Sequence, residues 1–215
     1  MEAIATLPKL PETLDELEDG TMLRIPAMWD EYLDLADEVE YNIQFLTGDI
    51  IIMSQATDTH ERLIIRLGKL FALYFDELDE NYQVLGSNVK IVIPDRLGDF
   101  NADLSVVRGP SEYGLTLTGR ESKVRIQNPH IVVEVLSKGT HDFDRGQKLT
   151  AYQTIPSLNH ILLIDQRSVN AWIFSRTDRP NQWLQTQYQS LTDTIPMGDF
   201  SLNVQDIYRK IDLVA

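Results

Sequence analysis

The feature that most limits how this chain can fold is the run Ile131-Val132-Val133-Glu134-Val135-Leu136, where one carboxylate interrupts a wholly apolar stretch. β-Branched residues at this density predict a strand, and a strand apolar on both faces belongs at the covered centre of a sheet. Alternation places Glu134 on the same face as Val132 and Leu136. An ionised carboxylate there is costly unless a cation, backbone amides or a metal ion compensates it. A structural ion pair and a metal ligand both meet that demand.

A second acid narrows the choice. Asp103 opens another apolar strand, Leu104-Ser105-Val106-Val107, directly after the segment Gly98-Asp99-Phe100-Asn101, which reads as a loop. Alone, an Asp in this position reads as a turn residue. Paired with Glu134 from a neighbouring strand, it supplies the hard oxygen ligands that magnesium takes, with water and substrate phosphate completing the shell. Lys148 lies on the helix predicted after the Glu134 strand. It either pairs with Asp144 at i, i+4 on an exposed face or reaches back to the carboxylates and sets a positive charge against an attacking water and phosphate.

Around these residues the expected elements fall in a definite order. Pro26 is read as a first helical position of a short helix carrying Met28, Tyr32, Leu33 and Leu35. Strands at 41–46 and 49–53 flank a Thr47-Gly48 turn. Asp58 and Glu61 have capping-box spacing ahead of a helix whose Leu63, Leu67, Leu70, Tyr74 and Leu78 recur through about residue 80. Strands follow at 82–84, 89–93, 103–107 and 131–136, then a helix over 142–154, a strand at 160–164 and another at 169–174. The core order is helix, three strands, helix, strand: an α/β (α+β) mixed sheet flanked by helices. A C-terminal strand and closing helix carry no chemistry. Residues 1–25 read as a loosely ordered acidic lead-in and 26–215 as a single domain.

Charge and composition bound the partners. The chain has 215 residues and a net charge of -14, but its first 40 residues hold 12 acids and two bases. The acidity is thus largely N-terminal, either a solvated face or a nucleic-acid mimic. No cysteine is present, which removes thiolate chemistry and suits the cytoplasm. Neither an export signal nor an uncharged run long enough to span a bilayer is read. Nucleophile-elbow and glycine-rich nucleotide motifs are absent, which sets those hydrolases aside. A paired-carboxylate glycosidase is not identified by an isolated Asp and Glu.

The run IVVEVLSKGTHDFDRGQKLTAYQTIPSLNHILLIDQ closely resembles the signature segment of the Uma2 family of restriction-endonuclease-like proteins, abundant in cyanobacteria. YNIQFLTGDIIIMSQATDTHERLIIRL and DFNADLSVV resemble its preceding blocks in the same order, so the likeness covers roughly residues 28–210. The resemblance implies the PD-(D/E)xK nuclease fold, with the motif aspartate on Asp103, the motif glutamate on Glu134 and the backbone carbonyl of Val135 facing a metal. The usual lysine two residues after the glutamate is Leu136 here, and similar families move it to the next helix, which points to Lys148. Ala102 replaces the usual proline, and Gln44 stands where the family often has a glutamate.

These features imply an endonuclease that hydrolyses nucleic-acid phosphodiesters, DNA by resemblance, using Mg2+ or in its place Mn2+. Auxiliary candidates are His60, which could bond a phosphate or position water, Glu61, as a further ligand or a helix cap, and Tyr152, one turn beyond Lys148. Ser137 and Thr140 could bond the carboxylates or cap the second helix, while Asp165 reads as a strand-ending turn residue. Arg62, Arg66, Lys90, Lys138 and Arg145 are the cations read as lining a nucleic-acid path, few enough to imply weak, salt-dependent binding. A homodimer is expected by analogy with enzymes that cut both strands. The competing reading is a catalytically silent binding module on the same fold.

Overall fold

The computed structural model describes residues 8–18, 20–78 and 81–213. The first elements are β1 (Met22–Pro26), α1 (Trp29–Glu38), β2 (Ile43–Leu46), β3 (Asp49–Met53) and α2 (Asp58–Phe75). Strands β4 (Tyr82–Gly86), β5 (Lys90–Ile93), β6 (Gly98–Asn101), β7 (Leu104–Arg108), β8 (Tyr113–Leu115), β9 (Glu121–Ile126) and β10 (Pro129–Leu136) follow. A helical segment then runs as α3 (His141–Phe143), a π-helical stretch (Asp144–Lys148) and α4 (Leu149–Tyr152). The chain continues through β11 (His160–Asp165), β12 (Ala171–Arg176), β13 (Trp183–Tyr188), β14 (Thr194–Met197), β15 (Phe200–Asn203) and α5 (Val204–Ile207).

The expected core order is present as α2, β4, β7, β10, the helical segment and β11. These four strands lie side by side as β4-β7-β10-β11 within a six-stranded sheet that β12 and β13 extend. Strand β10 pairs antiparallel with β7 and parallel with β11. A parallel neighbour requires a crossover, and the segment from His141 to Tyr152 supplies it.

The remaining strands divide into a seven-stranded sheet, β1-β3-β2-β6-β5-β9-β8, and the pair β14-β15. One face of the seven-stranded sheet, with Leu46, Ile51, Ile91 and Phe100, shares an apolar core with Val132, Leu136, Phe143 and Tyr152. Its other face, with Ile43, Phe45, Ile50 and Ile52, is covered by Tyr32, Leu33 and Leu35 of α1. On the far side of the six-stranded sheet, Leu63, Leu67, Phe71 and Phe75 of α2 pack on Ile131, Val133 and Val135. Strand β10 is therefore apolar on both faces because each meets a different core, which leaves Glu134 facing the core beneath the helical segment.

Several local expectations differ from the structure. Pro26 ends β1, opposite Asp49 of β3, and α1 starts at Trp29. Proline is tolerated here because β1 is the edge strand of its sheet. This strand and a short 3-10 turn at Leu14–Glu16 give the lead-in regular structure. Thr57 caps α2, accepting from the His60 amide at 3.3 Å, and Asp58 instead pairs with Arg62. Helix α2 stops at Phe75, and residues 79 and 80 lie outside the described residues. The segment Gly98–Asn101 is a fully buried strand because Asp99, whose polarity suggests a loop, bonds Arg125 and Tyr32. The Thr47-Gly48 turn holds, with φ of 43° and 94°.

Candidate functional site

The register of β7 against β10 sets the two acids together. Leu104 lies opposite Val133, so Asp103, one residue earlier, reaches the end of β10, where its Oδ2 accepts the Val135 amide at 2.6 Å. Glu134 is 3% exposed. Its Oε1 takes two bonds from the crossover segment: the Lys148 ammonium at 2.8 Å and the Tyr152 hydroxyl at 2.7 Å. Lys148 and Tyr152 are four residues apart and so share one helix face. The π-helical stretch ends at Lys148, in keeping with the frequent occurrence of such bulges at functional sites.

Lys148 is 2% exposed, so it is not the surface lysine of the simpler reading. It meets Asp144 at 3.5 Å as well as Glu134, and donates to the carbonyl of Asn101 at 3.3 Å. Asp144 is a site residue that sequence reasoning used only as a surface partner. Its place four residues before Lys148 carried the signal, but its burial did not show in the pattern DFDRGQK.

One ammonium here faces the carboxylates of Glu134, Asp144 and Asp103. Burial opposes the Lys148 charge, but Glu134 and Asp144 outweigh it and push the lysine up to about 12. Burial pushes Glu134 up to about 8, with Asp103 and Asp144 adding to the rise against the pull of Lys148. Asp144 is raised too, first by burial, again against Lys148. Burial and then Glu134 hold the Tyr152 phenol well above 10. The cluster is therefore short of positive charge.

His60, in the first turn of α2, lies at the edge of this cluster. Its Nε2 is 3.0 Å from the Val135 carbonyl and 3.4 Å from Asp103 Oδ2, which places the proton on Nε2 in the neutral ring. Burial disfavours charging the ring, yet Asp103, Glu61 and the Val135 carbonyl outweigh it, and its pKa rises above the ordinary value. Nδ1 is buried without a hydrogen-bond partner, 3.8 Å from Glu61 Oε1. Glu61 is mostly exposed and makes no capping bond among those of the α2 N-terminus.

The donor chemistry suits a hard divalent ion. Both bonds to Glu134 fall on Oε1, and the Val135 amide and His60 both approach Asp103 at Oδ2, so each carboxylate has an oxygen outside these contacts. Such an ion would also supply the charge that the cluster lacks. Among the described residues no group of three or more His, Cys, Asp or Glu side chains is arranged to hold a metal. Asp103 and Glu134 would be the carboxylate donors to such an ion, beside the Val135 carbonyl that accepts from His60.

Loops flank the end of β10, and the cations expected along a nucleic-acid path are scattered. A Cβ on Gly139, after β10, would run into the backbone carbonyl of Gly20, so the lead-in packs directly on the loop following Leu136. Ser137 Oγ bonds the Thr140 amide and not the carboxylates, and Asp165 bonds Arg167 and Ser168 at its turn. Lys138 is exposed on the loop, while Arg145 lies 4.1 Å over the Trp172 ring. Arg62 and Arg66 lie on the outer side of α2. Lys90 is a correction: it is buried, with its ammonium bonded to the Ile43 carbonyl and to Asn101 Oδ1. A cation held by two oxygens beneath α1 cannot meet a phosphate backbone. Gln44 is buried as well, with Oε1 unpartnered and its amide 3.5 Å from the Met53 sulfur.

Helix α2, the antiparallel strands β4, β7 and β10, the crossover segment and parallel β11, with two acids at adjacent strand ends, define a restriction-endonuclease-like fold of the PD-(D/E)xK class. Residues 29–205 match the profile of the Uma2 family, described as "Putative restriction endonuclease", and the chain belongs to that family. It is 30% identical over 158 residues to "Uncharacterized protein sll1609" of Synechocystis sp. (strain ATCC 27184 / PCC 6803 / Kazusa), covering 73% of this chain and 84% of that protein. It is 30% identical over 182 residues to "Uncharacterized protein slr1290" of the same strain, covering 84% and 90%. A crystal structure described as "a putative nuclease belonging to DUF820" from Anabaena variabilis ATCC 29413 shares the fold. Its TM-score is 0.68 at 15% identity, over 85% of this chain and 98% of that one.

Proposed function

We propose that this chain is an endonuclease that hydrolyses phosphodiester bonds in nucleic acid, DNA first, with magnesium held by Asp103 and Glu134. The observation that carries this reading is the Lys148 ammonium 2.8 Å from Glu134 Oε1. With Leu136 in the usual lysine position, only a lysine arriving from elsewhere completes the acid, acid, lysine set, and Lys148 does so from the crossover segment. The family's description supports the reaction class and the choice of DNA.

Magnesium in this place would supply an activated water and take up charge on the phosphate. The chain's own residues then have separate tasks. The Val135 amide fixes the Asp103 carboxylate, and Tyr152 with Lys148 fixes that of Glu134. Lys148 keeps its proton at Nζ and sets a fixed positive charge beside the reacting phosphate in a water-poor setting. His60 steadies the Val135 carbonyl, whose two lone pairs allow it to accept this bond and act as a donor to the ion as well. Glu61 and Tyr152 stay auxiliary, Tyr152 as a positioning residue. The reading includes residues 26–215 as one domain, a cytoplasmic protein and a homodimer placing one site on each strand. No helix among the described residues is long and apolar enough to cross a membrane.

A silent binding module is the second reading, favoured by the near-complete burial of Glu134 and Lys148. Cleavage of supercoiled plasmid with Mg2+ or Mn2+, against an EDTA control, separates the two. The expected result is metal-dependent nicking that Asp103→Ala abolishes while its melting curve stays cooperative. Equal activity in Asp103→Ala refutes the assignment, and duplex binding without any cleavage supports the silent module.

A further inference from the structure

In a chain of net charge -14, a groove lined by several cations and no acid is unusual, and one groove has that character. On α2, Arg62, Arg66 and Lys69 recur at spacings of four and three, which sets them in one outward stripe. The turn after α5 packs alongside, with an Arg66 guanidinium nitrogen donating to the Arg209 carbonyl at 3.0 Å. Between them lies a groove of about 320 Å³ lined by Arg62, Ile65, Arg66, Lys69, Lys210 and Ile211. Four of these six are cations and none is an acid. The larger groove of about 710 Å³ beside β5 is lined by Asp95, Glu112 and a single cation, Arg96.

Two details argue for a ligand rather than a solvated face. Ile65 is 71% exposed in the middle of the cations, and an apolar side chain among charges suits a ligand with both anionic and uncharged parts. Lys210 has φ of 59°, a left-handed conformation disfavoured outside glycine, and the turn that imposes it brings this lysine to the groove. Arg62 is two residues from His60 but about 200° around the helix from it, so the stripe runs along the outer side of α2. From Arg62 to Lys69 the helix rises roughly 10 Å, enough for the stripe to meet more than one phosphate of a strand. Asp58 is 3.2 Å from Arg62, both well exposed, and a solvated pair of this kind yields readily to a phosphate.

We propose that this groove binds the sugar-phosphate backbone of the substrate nucleic acid on the outer side of α2, through Arg62, Arg66, Lys69 and Lys210. The proposal rests on the nuclease reading for its substrate, while nucleic-acid binding here can be tested without cleavage. The test uses full-length Asp103→Ala in EDTA and follows the anisotropy of a labelled 25-mer DNA duplex from about 50 to 200 mM salt. Lys69→Glu with Lys210→Glu should weaken binding at least tenfold and lower the salt slope by about two, roughly one per lysine. Lys123→Glu with Arg179→Glu, the same charge change at exposed positions elsewhere, should leave both nearly unchanged.

Equal losses in the two double variants, or none in the first, overturn the proposal. It is also overturned if the wild type is a dimer by light scattering and the groove variant a monomer with unaltered duplex binding, since an acidic segment of a second copy then fills the groove. Failure of the nuclease reading looks different: duplex binding depends on the groove, yet the wild type cuts no plasmid. Cleavage with an unchanged KM in the groove variant keeps the nuclease and discards the groove.

Discussion

Replacing Lys148 by Met tests the buried cluster. The variant keeps the length and packing of the side chain but removes the ammonium that faces Glu134 at 2.8 Å and Asp144 at 3.5 Å. Removing one partner of a buried ion pair costs about 3 to 5 kcal/mol, because the other charge is left uncompensated. At roughly 2 to 4 °C per kcal/mol for a chain of this size, the melting temperature should fall by about 6 to 20 °C. The loss should also depend on pH. Glu134 is held at about 8 against its ordinary 4.5, so its contribution is fully present below pH 4.5 and is lost as pH rises through 8. Without the ammonium the carboxyl titrates higher still, and the deficit against wild type widens as pH rises above 8. Calorimetric melts at pH 6, 7.5 and 9 measure both effects. Glu134→Gln added to Lys148→Met should restore part of the loss. Because Glu134 takes up a proton at lower pH, the decisive comparison is at pH 9, where a single variant melting within about 2 °C of wild type would refute the reasoning.

The second buried network gives further expectations. Tyr32→Phe removes the hydroxyl that donates to Asp99 Oδ2 at 2.7 Å and should cost about 2 kcal/mol, read as a lower urea midpoint at unchanged slope. Lys90 is pushed down by burial to about 8 from 10.5, so wild-type stability should rise from pH 8 to 10.5 as the unfolded chain also loses this proton. Lys90→Met should lower stability overall and remove that rise, and an unchanged slope in chemical denaturation across this range would count against the assignment.

What the sequence determined about this protein is what local period and composition dictate. The density of Ile and Val around Glu134 required a covered central strand, the leucine spacing after Thr57 required α2, and Thr47-Gly48 required a tight turn. Two carboxylates at neighbouring strand ends followed from that order, because strand length and alternation are local properties. The tertiary structure decided which charges are buried. Asp99, Arg125 and Lys90 are polar residues that only tertiary bonds allow inside, Asp99 with Arg125 and Tyr32, and Lys90 with Asn101 and the Ile43 carbonyl. The same holds for Lys148 and Asp144, whose i, i+4 spacing fits an exposed pair equally well. Their burial depends on the crossover segment lying over β10, a contact between residues distant in sequence, and no pattern within the helix records it.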